Sequence, residues 1–280
     1  MKRIGIYFAR GNKRSGIIAK AMRQGAKRAG VPAVLTTSSQ WRGNTDFDAV
    51  IFYGFAEGLR SIFEAYKKKK RAVYIDLGYW GRRKRTRWDG YHKMAVNNRH
   101  ATAYFQNERH KPDRYAAFRL PVHPWRKSGN HIIVAGMSAK AAAAEGLRAE
   151  EWEKATIHRL RQLTDRPIIY RPKPNWPGAR IIPGCQMQRD IPLDRALTNC
   201  HCVVTHHSNV GIDALVRGVP VISDFGLASV MGSRNLEDIE NPLVPDGREQ
   251  FLCDVAYTQY SVNEMADGTA IRYLLDEGLI

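Results

Sequence analysis

The chain has 280 residues, 44% hydrophobic and 25% charged, with a net charge of +17. This composition is that of a folded globular protein and not of a disordered one, and no apolar run reaches the roughly 18 residues of a membrane span. The four cysteines have no C-x-x-C metal spacing; Cys200 and Cys202 flank a histidine in an apolar strand and are expected to be buried thiols in a reducing compartment.

The N-terminal run "RIGIYFA" (3–9) is a buried-strand pattern rather than a signal peptide. The loop "RGNKRSG" and a helical stretch from Ile17 to Ala29 follow it. "PAVLTTS", "DAVIFYGF" (48–55) and "RAVYIDLGYW" (71–80) are further strands, with helical "GLRSIFEAYKKKK" between the last two. "YHKMAVNNRH" (91–100) is read as helical. Continuous apolar strands alternating with helices predict a parallel sheet covered on both faces. The polar, Pro-containing "RLPVHPWRKSGN" (119–130) is the predicted linker. The alternation then restarts: "HIIVAGM" (131–137) is a strand, 149–163 a helix, and "RPIIYRPKP" (166–174) a strand entering a Pro-locked loop. A short helix "PLDRALTNC", a strand "CVVTH", a helix over 209–217 and a strand "VPVIS" come next. The final helix, 261–280, opens with a capping-box pattern at Ser261 and Glu264. The predicted fold class is α/β, with two Rossmann-like domains facing each other across a cleft, 1–125 and 126–260, and the C-terminal helix returning to the first.

Charge separates the halves. Residues 1–125 hold 27 Lys+Arg against 8 Asp+Glu, and residues 126–280 hold 17 against 19. A first half at +19 beside a second at −2 implies different ligands, with a polyanion for the first.

In such sheets ligands bind at the carboxyl ends of the strands. The stretch "THHSNVGIDALVRGVPVI" (205–222) places two histidines, Ser208 and Asn209 at a helix start, and Gly218 and Pro220 stop that helix. Alone, it is either a capped helix in an α/β core or an anion site on the helix dipole. "HSNVGIDALVRGVPVI" resembles the donor segment of GT-B glycosyltransferases: a small polar residue, a helix with an acidic residue, then AL-x-x-G-x-P-V-I. The resemblance implies a nucleotide-diphosphate contact from His207, Ser208, Asn209, the Val210 N–H and Gly211, and a ribose contact from Asp213, where the family often has Glu. Of the two histidines, His206 is expected to face the core. "YRPKPNW" (170–176) holds Arg171 and Lys173 on a Pro-stiffened loop after a strand, as a diphosphate clamp requires. It resembles the R-P-H-P loop of some GT-B proteins, with Lys where His is usual. "AGMSAK" adds Ser138 and Lys140 at a third strand end. No D-x-D pair with apolar flanks is present, so no metal is expected. The cationic loop and the helix dipole neutralise the leaving diphosphate instead.

"KKKKRAVYIDLGYWGRRKRTRW" (67–88) places cationic clusters around one acidic strand end. Arg82, Arg83, Lys84, Arg85 and Arg87, bracketed by Trp80 and Trp88, suit phosphate contacts with base stacking or wedging. Arg10, Lys13 and Arg14 add a cationic loop at another strand end. Asp76 is either a carboxylate paired with an arginine or the general base for an acceptor hydroxyl. His92, Lys93, Asn97 and Asn98 lie nearby in sequence, and His100 and His123 are alternative bases.

With this basic half, the chain resembles the small GT-B enzymes of bacteriophages that glycosylate hydroxymethylated bases in DNA. The resemblance implies a base flipped from the duplex, a nucleotide-sugar donor expected to be UDP-linked, and no required cofactor. It also implies double-stranded DNA bearing 5-hydroxymethylcytosine as partner, no membrane, and a monomer in the cytoplasm of an infected bacterium. The alternatives are a transferase acting on a surface or lipid-linked glycan and a non-catalytic nucleic-acid-binding protein on a GT-B frame.

Overall fold

The computed structural model describes residues 2–82, 89–102 and 110–280. The apolar runs form strands and the amphipathic stretches form helices. In chain order these are β1 (Ile4–Phe8), α1 (Lys13–Arg28), β2 (Ala33–Thr37), β3 (Ala49–Tyr53), α2 (Leu59–Lys69), β4 (Arg71–Leu77), β5 (Tyr91–Val96) and α3 (Asp113–Ala116). They continue with β6 (His131–Ala135), α4 (Ala139–Ala144), α5 (Glu151–Leu163), β7 (Ile168–Arg171), β8 (Gln186–Met187), α6 (Leu193–Ala196), β9 (Cys200–Thr205), α7 (Val210–Val216) and β10 (Val221–Ser223). Last are α8 (Arg248–Tyr257), β11 (Gln259–Ser261), α9 (Val262–Ala266) and α10 (Thr269–Asp276). The chain divides into two compact units. One comprises residues 1–104 and 254–280, the other residues 105–253.

In the first unit six strands run in the order β11-β5-β4-β3-β1-β2. The four strands from β4 to β2 are parallel, while β5 is antiparallel to β4 and β11 antiparallel to β5. On one face Ile18, Met22 and Ala26 of α1 join Ile4, Ile6, Ile51 and Val73. On the other, Leu59, Ile62, Phe63 and Tyr66 of α2 pack with Val50, Phe52 and Tyr74. Both faces are covered, which is why these strands read as unbroken apolar runs. The second unit is a parallel five-stranded sheet in the order β10-β9-β6-β7-β8. Its core gathers Ile132, Val134, Ile157, Leu160, Ile168, Tyr170, Cys202 and Val204. Cys200, Cys202 and Cys253 are buried free thiols, and burial pushes Cys200 up to about 12.

Four expectations are corrected. The first unit ends at residue 104, not 125, and regains the chain at 254, not 261, because β11 joins its sheet and α9 and α10 pack on α1. The contact with α9 needs Gly25: a Cβ there would lie 2.0 Å from the carbonyl oxygen of Met265. The C-terminal helix is two helices, broken at Gly268, whose φ of +95° suits glycine; its start does carry the Ser261–Glu264 capping box. "YHKMAV" is a strand rather than a helix, since pairing between β4 and β11 overrides its local propensity. The lysine run 67–70 lies where β4 begins. Asp76 lies near the strand's far end, about 17 Å away at the usual rise per residue. Lys67 and Lys70 pair there with Glu64 (2.7 Å) and Asp48 (3.5 Å).

Candidate functional site

The carboxyl ends of the second sheet share one edge, and its register places Arg171 and Thr205 on either side of Ala135. Thr205 organises the turn that follows β9. Its hydroxyl donates to the Ala135 carbonyl (3.1 Å) and accepts the Ser208 N–H (3.0 Å). The neighbouring loop is tied in when Phe225 N–H donates to the His206 carbonyl at 2.7 Å. The N-cap of α7 is Asn209, one residue later than expected, and it caps through backbone only. Two of the N–H groups expected to face phosphate have internal partners: Ser208 donates to Thr205, and Val210 donates to the Ser208 hydroxyl at 3.4 Å. Gly211 is buried, and a Cβ there would lie 2.6 Å from Cβ of Ala228, so close packing accounts for this glycine. Asp213 is half-buried on α7.

Arg171 ends β7 half-buried; burial lowers its pKa, and its Nη1 donates to Oε1 of Gln188 at 2.8 Å. Pro172 is buried behind it, and Trp176 N–H donates to the Lys173 carbonyl at 3.0 Å, closing the loop into a turn. Ser138 caps α4, accepting from Ala141 N–H at 3.2 Å, and Lys140 is exposed. The loop before Ser138 is held by Glu153, a residue with no sequence motif. Its carboxylate accepts the Met137 N–H at 2.5 Å, and burial raises its pKa.

His206 is buried, as its core-facing role requires, and His207 is half-buried. Their Nδ1 atoms lie 2.7 Å apart, and His207 Nδ1 is 3.7 Å from Oε1 of Glu145. Among the described residues Glu145, His206 and His207 each offer one ligand atom, all within 4.8 Å of one another. Glu145 carried no signal because it is remote in sequence.

In the first unit, Asp76 of β4 and the start of antiparallel β5 share the carboxyl edge, with Asp76 opposite Lys93 and Leu77 opposite His92. Asp76 accepts from the Tyr74 hydroxyl (3.2 Å) and from Leu77 N–H (2.8 Å), and among the described residues it has no ion pair with an arginine. Its negative charge helps burial raise the pKa values of Tyr53, Tyr74 and Tyr79. Arg14 donates to the Tyr53 hydroxyl at 2.9 Å, and the Tyr53 ring meets His92 edge-on at 5.7 Å. Lys93 is buried over the Tyr79 ring. Asn97 turns the chain at the opposite edge, its side chain bonding Ala72 N–H and the Lys70 carbonyl. His100 is buried, and His123 belongs to the other unit.

Of the expected nucleic-acid contacts, Arg10, Lys13 and Arg82 are exposed. Arg82 donates to the Tyr79 carbonyl at 3.1 and 2.7 Å. Trp80 is corrected: it is only 6% exposed, and its backbone N–H and that of Tyr79 both donate to Oε1 of Gln259. A ring packed in this way offers no face to a base. Arg83, Lys84, Arg85, Arg87 and Trp88 lie outside the described residues. A cationic surface not singled out from the sequence lies on α1, where Lys20, Arg23, Gln24 and Lys27 border an open groove of about 620 Å³ floored by Val31, Ala33 and Leu35. The signal was legible in "KRSGIIAKAMRQGAKR", which holds six basic residues and no acidic one. Among the described residues no helix is long and apolar enough to cross a membrane.

No protein-family model matches the chain, and no curated protein matches it significantly. Solved structures do. The Thermosulfurimonas dismutans KpsC β-Kdo 2,4 transferase aligns with a TM-score of 0.59 at 11% identity, covering 100% of this chain and 98% of the other. The KpsC β-Kdo 2,7 transferase of the same organism aligns with a TM-score of 0.55 at 13% identity, over 97% and 99%. The chain shares with these two proteins a mixed α/β fold built on parallel sheets.

Proposed function

We propose that the chain is a glycosyltransferase that moves a sugar from a nucleotide-linked donor, expected to be UDP-linked, to the hydroxymethyl group of a pyrimidine in DNA, with 5-hydroxymethylcytosine the favoured base. The observation that carries the acceptor is the concentration of positive charge in the first half, where residues 1–125 hold 27 Lys+Arg against 8 Asp+Glu. Exposed Arg10, Lys13, Lys20, Arg23 and Lys27 belong to it. The donor reading is supported by Arg171 and the 205–213 segment at one sheet edge.

In this reading Asp76 takes the proton of the acceptor hydroxyl as its oxygen attacks the anomeric carbon. The bond from that carbon to the donor phosphate breaks, and the electron pair leaves on a diphosphate whose charge Arg171 and Lys173 meet. His207, Ser208 and Asn209 border the phosphate, and Asp213 holds the ribose. The test is mass spectrometry of hydroxymethylated duplex DNA after incubation with a panel of nucleotide-sugars. A mass gain of one sugar that needs both the hydroxymethyl group and the enzyme is expected; an unchanged DNA mass across the panel refutes the DNA acceptor.

A glycan acceptor is the second reading, favoured by the KpsC matches, whose names specify β-Kdo transfer, and by the burial of Trp80, which removes one wedge. Transfer to a glycan acceptor with DNA inert in the same assay would select it.

A further inference from the structure

Glu145 follows the last turn of α4, and His206 and His207 follow β9, all within the second unit. One donor atom from each lies within 4.8 Å of the other two. The two Nδ1 atoms at 2.7 Å can share only one proton, because two protonated nitrogens would repel and two bare lone pairs would gain no bond. A divalent cation can take the place of that shared proton and accept both lone pairs.

The rings are held before any ion arrives. Trp152 stands edge-on to His206 with centroids 5.8 Å apart, and its own Nε1 donates to Oδ2 of Asp224 at 2.6 Å. Phe225 covers His206 at 4.9 Å, and the backbone at Gly226 approaches so closely that a Cβ would lie 3.0 Å from Cα of His207. Little side-chain entropy is then lost on binding, and the apolar surround strengthens the attraction between ion and ligand.

The ligand chemistry selects the ion. Two imidazoles and one carboxylate suit a borderline cation, whereas calcium and magnesium prefer all-oxygen sets. Ligand atoms around tetrahedral zinc lie about 3.3 Å from one another, given metal–ligand distances of about 2.0–2.1 Å. The separations of 2.7 Å between the two Nδ1 atoms and 3.7 Å from His207 Nδ1 to Glu145 bracket that spacing, and all three donor atoms lie within 4.8 Å of one another, so small side-chain adjustments bring them to it. We propose that Glu145, His206 and His207 form a binding site for a divalent cation of the zinc class, with a fourth coordination position open to an oxygen from outside the chain. That oxygen belongs to a donor phosphate if the donor reading holds; the cation site itself does not depend on it.

The test is Zn²⁺ binding to the metal-stripped full chain by equilibrium dialysis without nucleotide, together with the visible spectrum of the Co²⁺ form. One ion per chain and the intense absorption of a four- or five-coordinate Co²⁺ centre are expected. Glu145→Gln and His207→Gln, both at half-buried positions, should each weaken binding at least tenfold while far-ultraviolet circular dichroism stays unchanged. Substoichiometric uptake, or uptake that neither substitution alters, overturns the site. UDP binding in the presence of chelator reports on the donor reading alone, so the two proposals can fail separately.

Discussion

Nδ1 of His92 donates to the carbonyl of Gly90 at 2.8 Å, which leaves Nε2 of a ring only 2% exposed without a partner among the described residues. Burial, helped by the charge of Arg14, lowers this histidine from 6.5 to about 4. A depressed folded-state value means that the unfolded chain binds the proton first as pH falls. The resulting stability is present above 6.5 and is lost as pH drops through 4. At about 1.4 kcal/mol per pH unit, full protonation costs up to about 3 kcal/mol. Denaturant titrations from pH 7 to 4 should show this acid limb, and His92→Gln should flatten it; an identical limb in the variant would assign it to other groups.

Asp76 accepts two hydrogen bonds and pairs with no arginine among the described residues, so its carboxylate is not committed to a structural ion pair. Asp76→Asn keeps the acceptor oxygen and removes the proposed base. Turnover should fall by about 10²–10⁴-fold, with UDP affinity unchanged by calorimetry. Retained turnover would move the base elsewhere.

Arg171 is already partly desolvated and leans on Gln188, which holds its guanidinium at the strand end. Arg171→Ala should raise the dissociation constant for UDP by roughly 10–100-fold, in line with about 1.5–3 kcal/mol for hydrogen bonds to charged groups. Asp213→Ala should weaken UDP but not pyrophosphate if it contacts ribose. Equal losses for both ligands would place Asp213 at the phosphate.

Gly25 lies where α1 meets α9, with no room for a methyl group. Gly25→Ala should destabilise the protein by about 1–3 kcal/mol through overpacking. Limited proteolysis should then cut first near the C-terminus, because α9 and α10 are what the new methyl pushes away.

Lys20, Arg23 and Lys27 border the α1 groove. If that face meets the DNA backbone, changing all three to Gln should reduce the slope of log K against log salt by about 2–3, since each phosphate contact contributes about 0.9. An unchanged slope would remove α1 from the interface.

Local patterning determined a good deal about this protein. Covered parallel strands are continuous apolar runs, so "RIGIYFA", "DAVIFY", "HIIVA" and "CVVT" announced two α/β sheets. Strand ends followed by "RPKP" and "HHSN" marked the edge where Arg171 and Thr205 flank Ala135. Ser261 and Glu264 formed their capping box because both partners lie within one turn. What depends on distant partners was decided only in the folded chain. The basic neighbours of Trp80 point to an exposed wedge, but Gln259, about 180 residues away, captures its backbone and the ring is buried. "YHKMAV" became a strand because β4 and β11 supply hydrogen-bond partners on both sides. The lysine run and Asp76 are near neighbours in sequence, but an extended strand carries them to opposite edges of the sheet. Glu145 meets His206 and His207 only through packing. Sequence encodes which element forms, because periodicity and caps act over a few residues. Tertiary structure alone decides which side chains are buried or brought together, because those partners are set by packing across the whole sheet.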